Sequence, residues 1–193
     1  MKAFELIATE LDVSLLLEQL EAHPELWDEN RTRTGHAGSV HGEVNDILVR
    51  FNKPTTDFDT ALNDTVCYWQ PALNSLPVVP SMIYPLMFNL LGDQIGRIII
   101  TKLKPGGEIG WHEDHGTPAT HYQRFHLCLK NAPGAAFEFK VGDEVQSIEP
   151  TVGDLFIVAN QLPHRVVNRS AQERWTMIID IRTPFYQHIK ETS

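Results

Sequence analysis

The sequence has little cysteine, no long apolar run and no excess of positive charge. Its two cysteines, Cys67 and Cys128, form neither a disulfide framework nor a CxxC pair, as is typical of proteins in a reducing cytosol. No stretch approaches the roughly 20 apolar residues that span a bilayer. Residues 1–23 lack the charged, apolar and small-residue order of a signal peptide. These absences predict a cytoplasmic protein with no membrane partner.

The charge balance is acidic, because 25 Asp and Glu residues outweigh 16 Lys and Arg residues and give a formal charge of −9. A protein that mainly neutralises phosphates would have the opposite balance, so the charge disfavours nucleic acid as a partner. A length of 193 residues with 42% hydrophobic content suits one packed domain better than two.

The first half of the chain, residues 1–95, predicts a helical and irregular cover. Residues 12–23 and 81–95 have the apolar spacing of helices, and Asp12 and Ser81 are candidate N-caps. Between these segments, polar, proline and turn residues predominate, apart from one short strand signal, ILVRF.

Residues 96–183 have a different pattern, in which short β-branched or aromatic runs alternate with turn sequences such as PGG, NAPG and TVGD. The seven runs are GRIIITKL, RFHLCLK, AAFEFKV, EVQSIEP, DLFIVAN, HRVVN and RWTMIIDI. The sequence VGDE between the third and fourth runs predicts a hairpin. We therefore predict one mainly-β domain, a sandwich or small barrel core, with the helices of the first half packed outside it.

Alternation along two of these runs places polar side chains together. In RFHLCLK, Arg124, His126 and Cys128 share one face, and in RWTMIIDIR, Arg174 and Thr176 lie opposite the bulky apolar residues. If the polar faces pointed inward, the barrel would enclose a site. We predict this arrangement for Arg124, His126 and Arg174.

The sequence GEIGWHEDHGTP gathers four ionisable residues between Gly-rich turns. Taken alone it is typical of a solvated loop, and it lacks the HExxH pattern of helical zinc proteases. However, His112 and Asp114 form the only HxD pair in the chain, and their spacing puts both on one side of an extended backbone. His164, at the start of HRVVN, is a third candidate ligand. Two imidazoles and one carboxylate form a facial set that suits divalent iron with open coordination positions.

Several segments in order, over about residues 97–182, resemble the aspartyl/asparaginyl β-hydroxylase-like branch of the Fe(II)- and 2-oxoglutarate-dependent dioxygenases: LKPGGEIGWHED, RFHLCLKN, VGDLFIVANQLPHRVVNRS and ERWTMIIDI. The resemblance implies a double-stranded β-helix, or jelly roll, that uses Fe(II), 2-oxoglutarate and O2 to hydroxylate an amino acid or a peptide or protein side chain. It also implies that His112, Asp114 and His164 hold the catalytic iron, and that Arg174 binds the distal carboxylate of 2-oxoglutarate. A guanidinium fork matches such a carboxylate in shape and charge.

Two assignments stay open. Arg124 and His126 match the Arg-x-His of the family's central strand, where they would contact the co-substrate or position a ligand; they could also be a buried structural pair. Some animal members of this branch keep one histidine and lose the carboxylate, and His115 stands at their spacing. The order PGG-x-I-x-x-H-x-D favours His112 with Asp114.

Two rival functions also remain. Nucleobase demethylases with the same triad carry a second arginine a few residues beyond the first, whereas Arg182 lies eight residues beyond Arg174. A cupin-like module that binds a metal or ligand without turnover is the alternative from another class. Metal analysis would separate these classes, because a closed structural zinc site has four protein ligands.

Overall fold

Two antiparallel β-sheets form the centre of the molecule, and helices cover one of them. The computed structural model describes residues 2–31, 33–34, 40–53, 60 and 63–184. Within these ranges the helices are α1 (Ser14–Ala22), α2 (Val78–Asn89) and α3 (Thr117–His121), and none of them combines the length and apolar character needed to cross a membrane. The strands are β1 (Phe4–Ala8), β2 (Val44–Phe51), β3 (Tyr68–Trp69), β4 (Gln94–Leu103), β5 (Glu108–His112), β6 (Gln123–Lys130), β7 (Ala135–Val141), β8 (Glu144–Ile148), β9 (Leu155–Val158), β10 (His164–Asn168) and β11 (Arg174–Arg182).

The strand order is that of a jelly roll. In the part of the chain described, the larger sheet has the order β1-β9-β6-β11-β4-β2-β3, and the smaller sheet has the order β5-β10-β7-β8. Apolar side chains from both sheets form one buried cluster, which includes Phe137 and Phe139 of β7 and Phe156 of β9. The fold is therefore mainly β, with a double-stranded β-helix core, and the predicted fold class is confirmed.

The second apolar cluster lies between the larger sheet and helices α1 and α2. Phe125, Leu127 and Met177 of the sheet are almost fully buried there against helical residues such as Leu16 and Ile83. Each such burial contributes about 1.5–3 kcal/mol relative to exposure. Because these side chains alternate with the polar ones, the polar faces of β6 and β11 point between the two sheets, as the alternation predicts.

All seven runs predicted after residue 96 are strands, and Val141 pairs with Glu144 across the predicted VGDE hairpin. Strand β5 was not predicted, because Gly110 within it and the two glycines before it are typical of a turn. Strand β1, a short edge strand that pairs with β9, was not predicted either. The first half of the chain is thus more than the predicted helical and irregular cover, since β1, β2 and β3 belong to the larger sheet.

The helix bounds also differ from the prediction. Helix α1 begins at Ser14, where Asp12 accepts hydrogen bonds from the backbone and hydroxyl of that residue. Helix α2 begins at Val78 instead of Ser81, because prolines fit the first turn of a helix, where no intrahelical donor is needed. The predicted cap Ser81 therefore lies inside the helix, and its hydroxyl donates to the carbonyl of Val78.

Substitutions at two glycines are expected to show how closely the N-terminal segment packs on the barrel. Gly153 has a φ of +86°, and a Cβ there would lie 2.8 Å from the Leu11 carbonyl oxygen. Gly142, in the VGDE hairpin, has a φ of +60° with open space around it. We expect Gly142→Ala to cost about 1–2 kcal/mol of unfolding free energy from backbone strain alone. Gly153→Ala should cost about 3 kcal/mol, because strain and overlap add. Urea denaturation checks this order, and equal costs would contradict it.

Candidate metal centre

The two candidate histidine ligands lie opposite each other on neighbouring strands of the smaller sheet. His112 ends β5 and His164 begins β10, and the antiparallel register pairs them directly. Their ring centroids are 4.2 Å apart. Directly opposed residues of an antiparallel pair have Cβ atoms only about 4.5–5.5 Å apart. Strand pairing therefore brings together two side chains that are 52 positions apart in the sequence.

Backbone carbonyls fix the orientation of both rings. Nδ1 of His112 is 2.8 Å from the Gly110 carbonyl oxygen, and Nδ1 of His164 is 2.8 Å from that of Leu162. A carbonyl can only accept, so each Nδ1 carries the proton and donates it. In the neutral form of each ring, Nε2 then has its lone pair available for a metal. Such hydrogen bonds to the remote nitrogen are the usual support of histidine ligands.

Asp114 completes the cluster from the loop after β5. Its backbone N–H donates to the Asn160 carbonyl oxygen at 3.0 Å, which ties this loop to the loop before β10. Its Oδ1 is 3.9 Å from Nε2 of His112. The candidate ligand atoms of His112, Asp114 and His164 all lie within 4.8 Å of one another, so they can hold one metal ion.

The electrostatics keep Asp114 and His164 in metal-binding protonation states. Burial by itself would raise the pKa of Asp114, but Arg124, His164 and Asn160 outweigh it and hold the pKa well below the ordinary range. Burial also lowers the pKa of His164, although Asp114 partly opposes this effect. At neutral pH the cluster therefore offers a carboxylate and a neutral imidazole.

Arg124 joins Asp114 to a second buried carboxylate. Its Nη1 donates to Oδ2 of Asp114, while Nε and Nη2 donate to the two oxygens of Asp180 at 2.8 and 2.9 Å. Burial by itself would lower the pKa of Arg124, but Asp180 and Asp114 together raise it above the ordinary value. Every guanidinium nitrogen of Arg124 thus has a carboxylate partner.

The same pocket contains a second arginine, whose guanidinium lacks the hydrogen-bond partners that Arg124 has. Arg174, at the start of β11, is only 4% exposed, and its Nε and Nη2 have no hydrogen-bond partner among the described residues. Burial lowers its pKa to about 10, so it remains charged at neutral pH. The hydroxyl of Thr176 and Nδ1 of His126 are also buried without a described partner, and both line this pocket. A buried unpaired cation beside unsatisfied polar groups indicates a site for an anion.

A family model described as aspartyl/asparaginyl beta-hydroxylase matches residues 61–184, which are more than half of the sequence. The chain belongs to this family. The matched range contains all six candidate site residues, and family membership identifies the protein as an enzyme of the hydroxylase class.

Solved structures share the fold of this hydroxylase at low sequence identity. An oxidoreductase of the 2OG-Fe(II) oxygenase family from Burkholderia pseudomallei has a TM-score of 0.60 at 13% identity, over 93% of this chain and 84% of its own. A Trichoplax adhaerens prolyl hydroxylase, in complex with a hypoxia inducible factor peptide fragment, has a TM-score of 0.63 at 11% identity, over 97% and 86%. A Pseudomonas putida prolyl-4-hydroxylase has a TM-score of 0.55 at 14% identity, over 94% and 92%. The search of curated proteins gives no match.

Other histidines of the hydroxylase take different places. His115 is exposed and is not part of the three-residue cluster. His41 lines the pocket, with its ring edge-on to that of His112 at 5.2 Å between centroids. Burial and the nearby Arg33 lower the pKa of His41 to about 2, so its ring is neutral. His36 lies outside the described residues.

Three further residues shape the site: Asn160 and Asp180 were not predicted, and Thr176 was predicted only to share the face of Arg174. Asn160 donates to Oδ2 of Asp114 at 3.2 Å, but nothing in its local sequence distinguishes it from a loop asparagine. Thr176 and Asp180 did carry a signal, because they lie two and six residues after Arg174 and therefore share its inward face.

Proposed function

We propose that the protein is a non-haem hydroxylase that uses Fe(II), 2-oxoglutarate and O2, with iron held by His112, Asp114 and His164. Its substrate would be an amino acid, free or as a side chain of a peptide or protein. One observation carries the proposal: a two-histidine, one-carboxylate cluster and a buried unpaired arginine, Arg174, line the same pocket.

The donor set suits ferrous iron. Two imidazole nitrogens and one carboxylate oxygen form the facial arrangement of non-haem iron oxygenases, which leaves the remaining positions open for reactants. A closed structural zinc site would use a fourth protein ligand. Among the described residues the metal-ligating cluster has three members, which fits an open site.

The surroundings of Arg174 suit the distal carboxylate of 2-oxoglutarate. Burying an unpaired guanidinium is costly, and a carboxylate removes that cost through paired, charge-assisted hydrogen bonds. Nε and Nη2 of Arg174 are the two donors without partners, and the hydroxyl of Thr176 lies two residues along the same strand face. We therefore assign these two residues to 2-oxoglutarate.

When bound, ferrous iron with 2-oxoglutarate and O2 supplies the oxidation, in which 2-oxoglutarate becomes succinate and CO2 and one oxygen atom enters a substrate C–H bond. The protein positions the reactants and limits their contact with water. His112 and His164 present Nε2 because their other nitrogens are engaged by backbone carbonyls. Apolar side chains such as Phe137 and Ile178 line the pocket and limit the access of water.

The choice of substrate class has two supports. The Trichoplax adhaerens relative was solved with a peptide fragment, and the Pseudomonas putida relative is a prolyl-4-hydroxylase. The formal charge of −9 disfavours nucleic acid as the substrate.

The test is to incubate the protein with Fe(II), ascorbate and 2-oxoglutarate in air and to measure succinate, first alone and then with amino acids or peptides. We expect slow succinate formation without substrate and faster formation with a substrate. Metal analysis and calorimetry with 2-oxoglutarate provide the binding measurements. Binding of both without succinate would favour the non-catalytic cupin-like module, and binding of neither would exclude the proposal.

A further inference from the structure

Asp180 is a buried carboxylate that has no direct contact with the candidate metal ligands yet is joined to one of them. It is 1% exposed on the inward face of β11, and the antiparallel register pairs it with Arg124 of β6. Its two oxygens accept from Nε and Nη2 of Arg124 at 2.8 and 2.9 Å. The third nitrogen of that guanidinium, Nη1, donates to Asp114.

We propose that Asp180 is a positioning residue for the metal centre: through Arg124 it fixes which oxygen of Asp114 faces the metal. Oδ2 of Asp114 accepts from both Arg124 and Asn160, whereas Oδ1 lies 3.9 Å from Nε2 of His112. Asp114 is therefore held as a ligand through Oδ1 only. This inference rests on the proposed metal site.

The geometry also decides between the two predicted roles of Arg124. Three of the five N–H donors of Arg124, one on each nitrogen, already go to carboxylates of the protein, whereas Nε and Nη2 of Arg174 have no described partner. Arg124 thus positions the ligand Asp114, and Arg174, whose donors lack partners, remains the residue for the co-substrate.

The second contribution of Asp180 is its charge. Asp114 and Arg124 alone would form a neutral pair, and the guanidinium would repel a divalent cation at this short range. Asp180 neutralises Arg124, so the three residues together keep one negative charge for the metal. Removing the carboxylate of Asp180 therefore both frees Arg124 to move and leaves Asp114 and Arg124 as a neutral pair.

The test compares Asp180→Asn with Glu138→Gln. Glu138 is a matched control, because it is also a buried carboxylate that pairs with arginines, Arg165 and Arg169, but it belongs to the smaller sheet and does not line the pocket. Co(II) affinity is measured by visible absorption without 2-oxoglutarate or O2. We expect Asp180→Asn to weaken Co(II) binding about tenfold to a hundredfold, as losses of supporting groups do at other metal sites. Glu138→Gln should bind like the wild type.

The double variant Arg124→Gln/Asp180→Asn separates positioning and charge from simple destabilisation. It returns the site to one negative charge, so we expect it to bind Co(II) more tightly than Asp180→Asn alone. If Asp180 acted only on stability, the Co(II) affinity of the folded protein would be the same in both variants, and the coupling expected of two contacting residues would appear only in the unfolding free energy. The affinity for 2-oxoglutarate, set by Arg174, should be unchanged in the manganese-loaded variants.

Wild-type affinity in a folded Asp180→Asn protein overturns the inference and leaves the proposed function intact. Absence of Co(II) binding by the wild type overturns the proposed function itself. If Asp180→Asn does not fold, Asp180→Glu is tested instead, because it keeps the negative charge but displaces the guanidinium of Arg124. Weakened Co(II) binding by this variant would support the positioning role, and unchanged binding would contradict it.

Discussion

Alanine in place of His112 is expected to abolish measurable iron binding and to lower succinate formation at least about a hundredfold, or about 2.7 kcal/mol in the activation barrier. The reason is geometric. His112 and His164 are paired across neighbouring strands, and each presents one Nε2 to the same point. No other described histidine belongs to the metal-ligating cluster, so the lost ligand has no replacement. Metal content after anaerobic loading and a succinate assay provide the two measurements.

His115→Ala is the matched control, because it removes an imidazole only three residues away. His115 is exposed and outside the cluster, so we expect this variant to bind iron as the wild type does. The pair also decides between the two ligand sets that the sequence left open. Loss of iron in His115→Ala, with iron retained in His112→Ala, would replace our ligand set with the single-histidine pattern.

The two sheets contribute different functional residues to the proposed site. The smaller sheet carries His112 and His164 on β5 and β10, where register alone brings them together. The larger sheet carries the arginines on its inward face, at positions 124 and 174. Ligand positioning and co-substrate binding therefore depend on different side chains of the larger sheet. Variants of Arg124 should change the affinity for the metal, and variants of Arg174 should change the affinity for 2-oxoglutarate.

Local sequence predicted most of the second half of the molecule, because strand alternation and turn chemistry are local properties. The inward faces of β6 and β11 follow from parity, which is why Arg124 and Arg174 could be placed in the interior. Strand β5 could not be predicted in the same way. Its sequence EIGWH contains a glycine and follows two more, and it is held as a strand by pairing with β10, which is distant in sequence.

The partners of Arg124 are a second feature that the sequence alone could not predict. Parity placed Asp180 on the same inward face as Arg174, so a buried acidic partner was in principle visible. Local sequence does not show which arginine Asp180 contacts, because Asp180 meets Arg124 only through the register of β11 against β6. That register includes an irregularity between Trp175 and Thr176. A single-residue slip of register would move the pairing to the other face.

Methionine in place of Arg174 is expected to have opposite effects on the free protein and on the complex. Without 2-oxoglutarate, the guanidinium is buried with two unpaired nitrogens, so an apolar side chain of similar length should raise the unfolding free energy by about 1–3 kcal/mol. With 2-oxoglutarate, two charge-assisted hydrogen bonds are lost. The KM for 2-oxoglutarate should rise at least about a hundredfold, from about 1.5–3 kcal/mol for each bond.

Thermal denaturation with and without 2-oxoglutarate, in the manganese-loaded protein, separates the two effects. The wild type should be stabilised by the co-substrate through mass action, and Arg174→Met should begin at a higher melting temperature and gain little from it. Arg182→Met is the control on the same strand, since Arg182 pairs with Asp93 at the surface and such pairs contribute about 0–1 kcal/mol. If Arg174→Met were less stable than the wild type and still responded to 2-oxoglutarate, Arg174 would be a structural cation, and the co-substrate would have to bind elsewhere in the pocket.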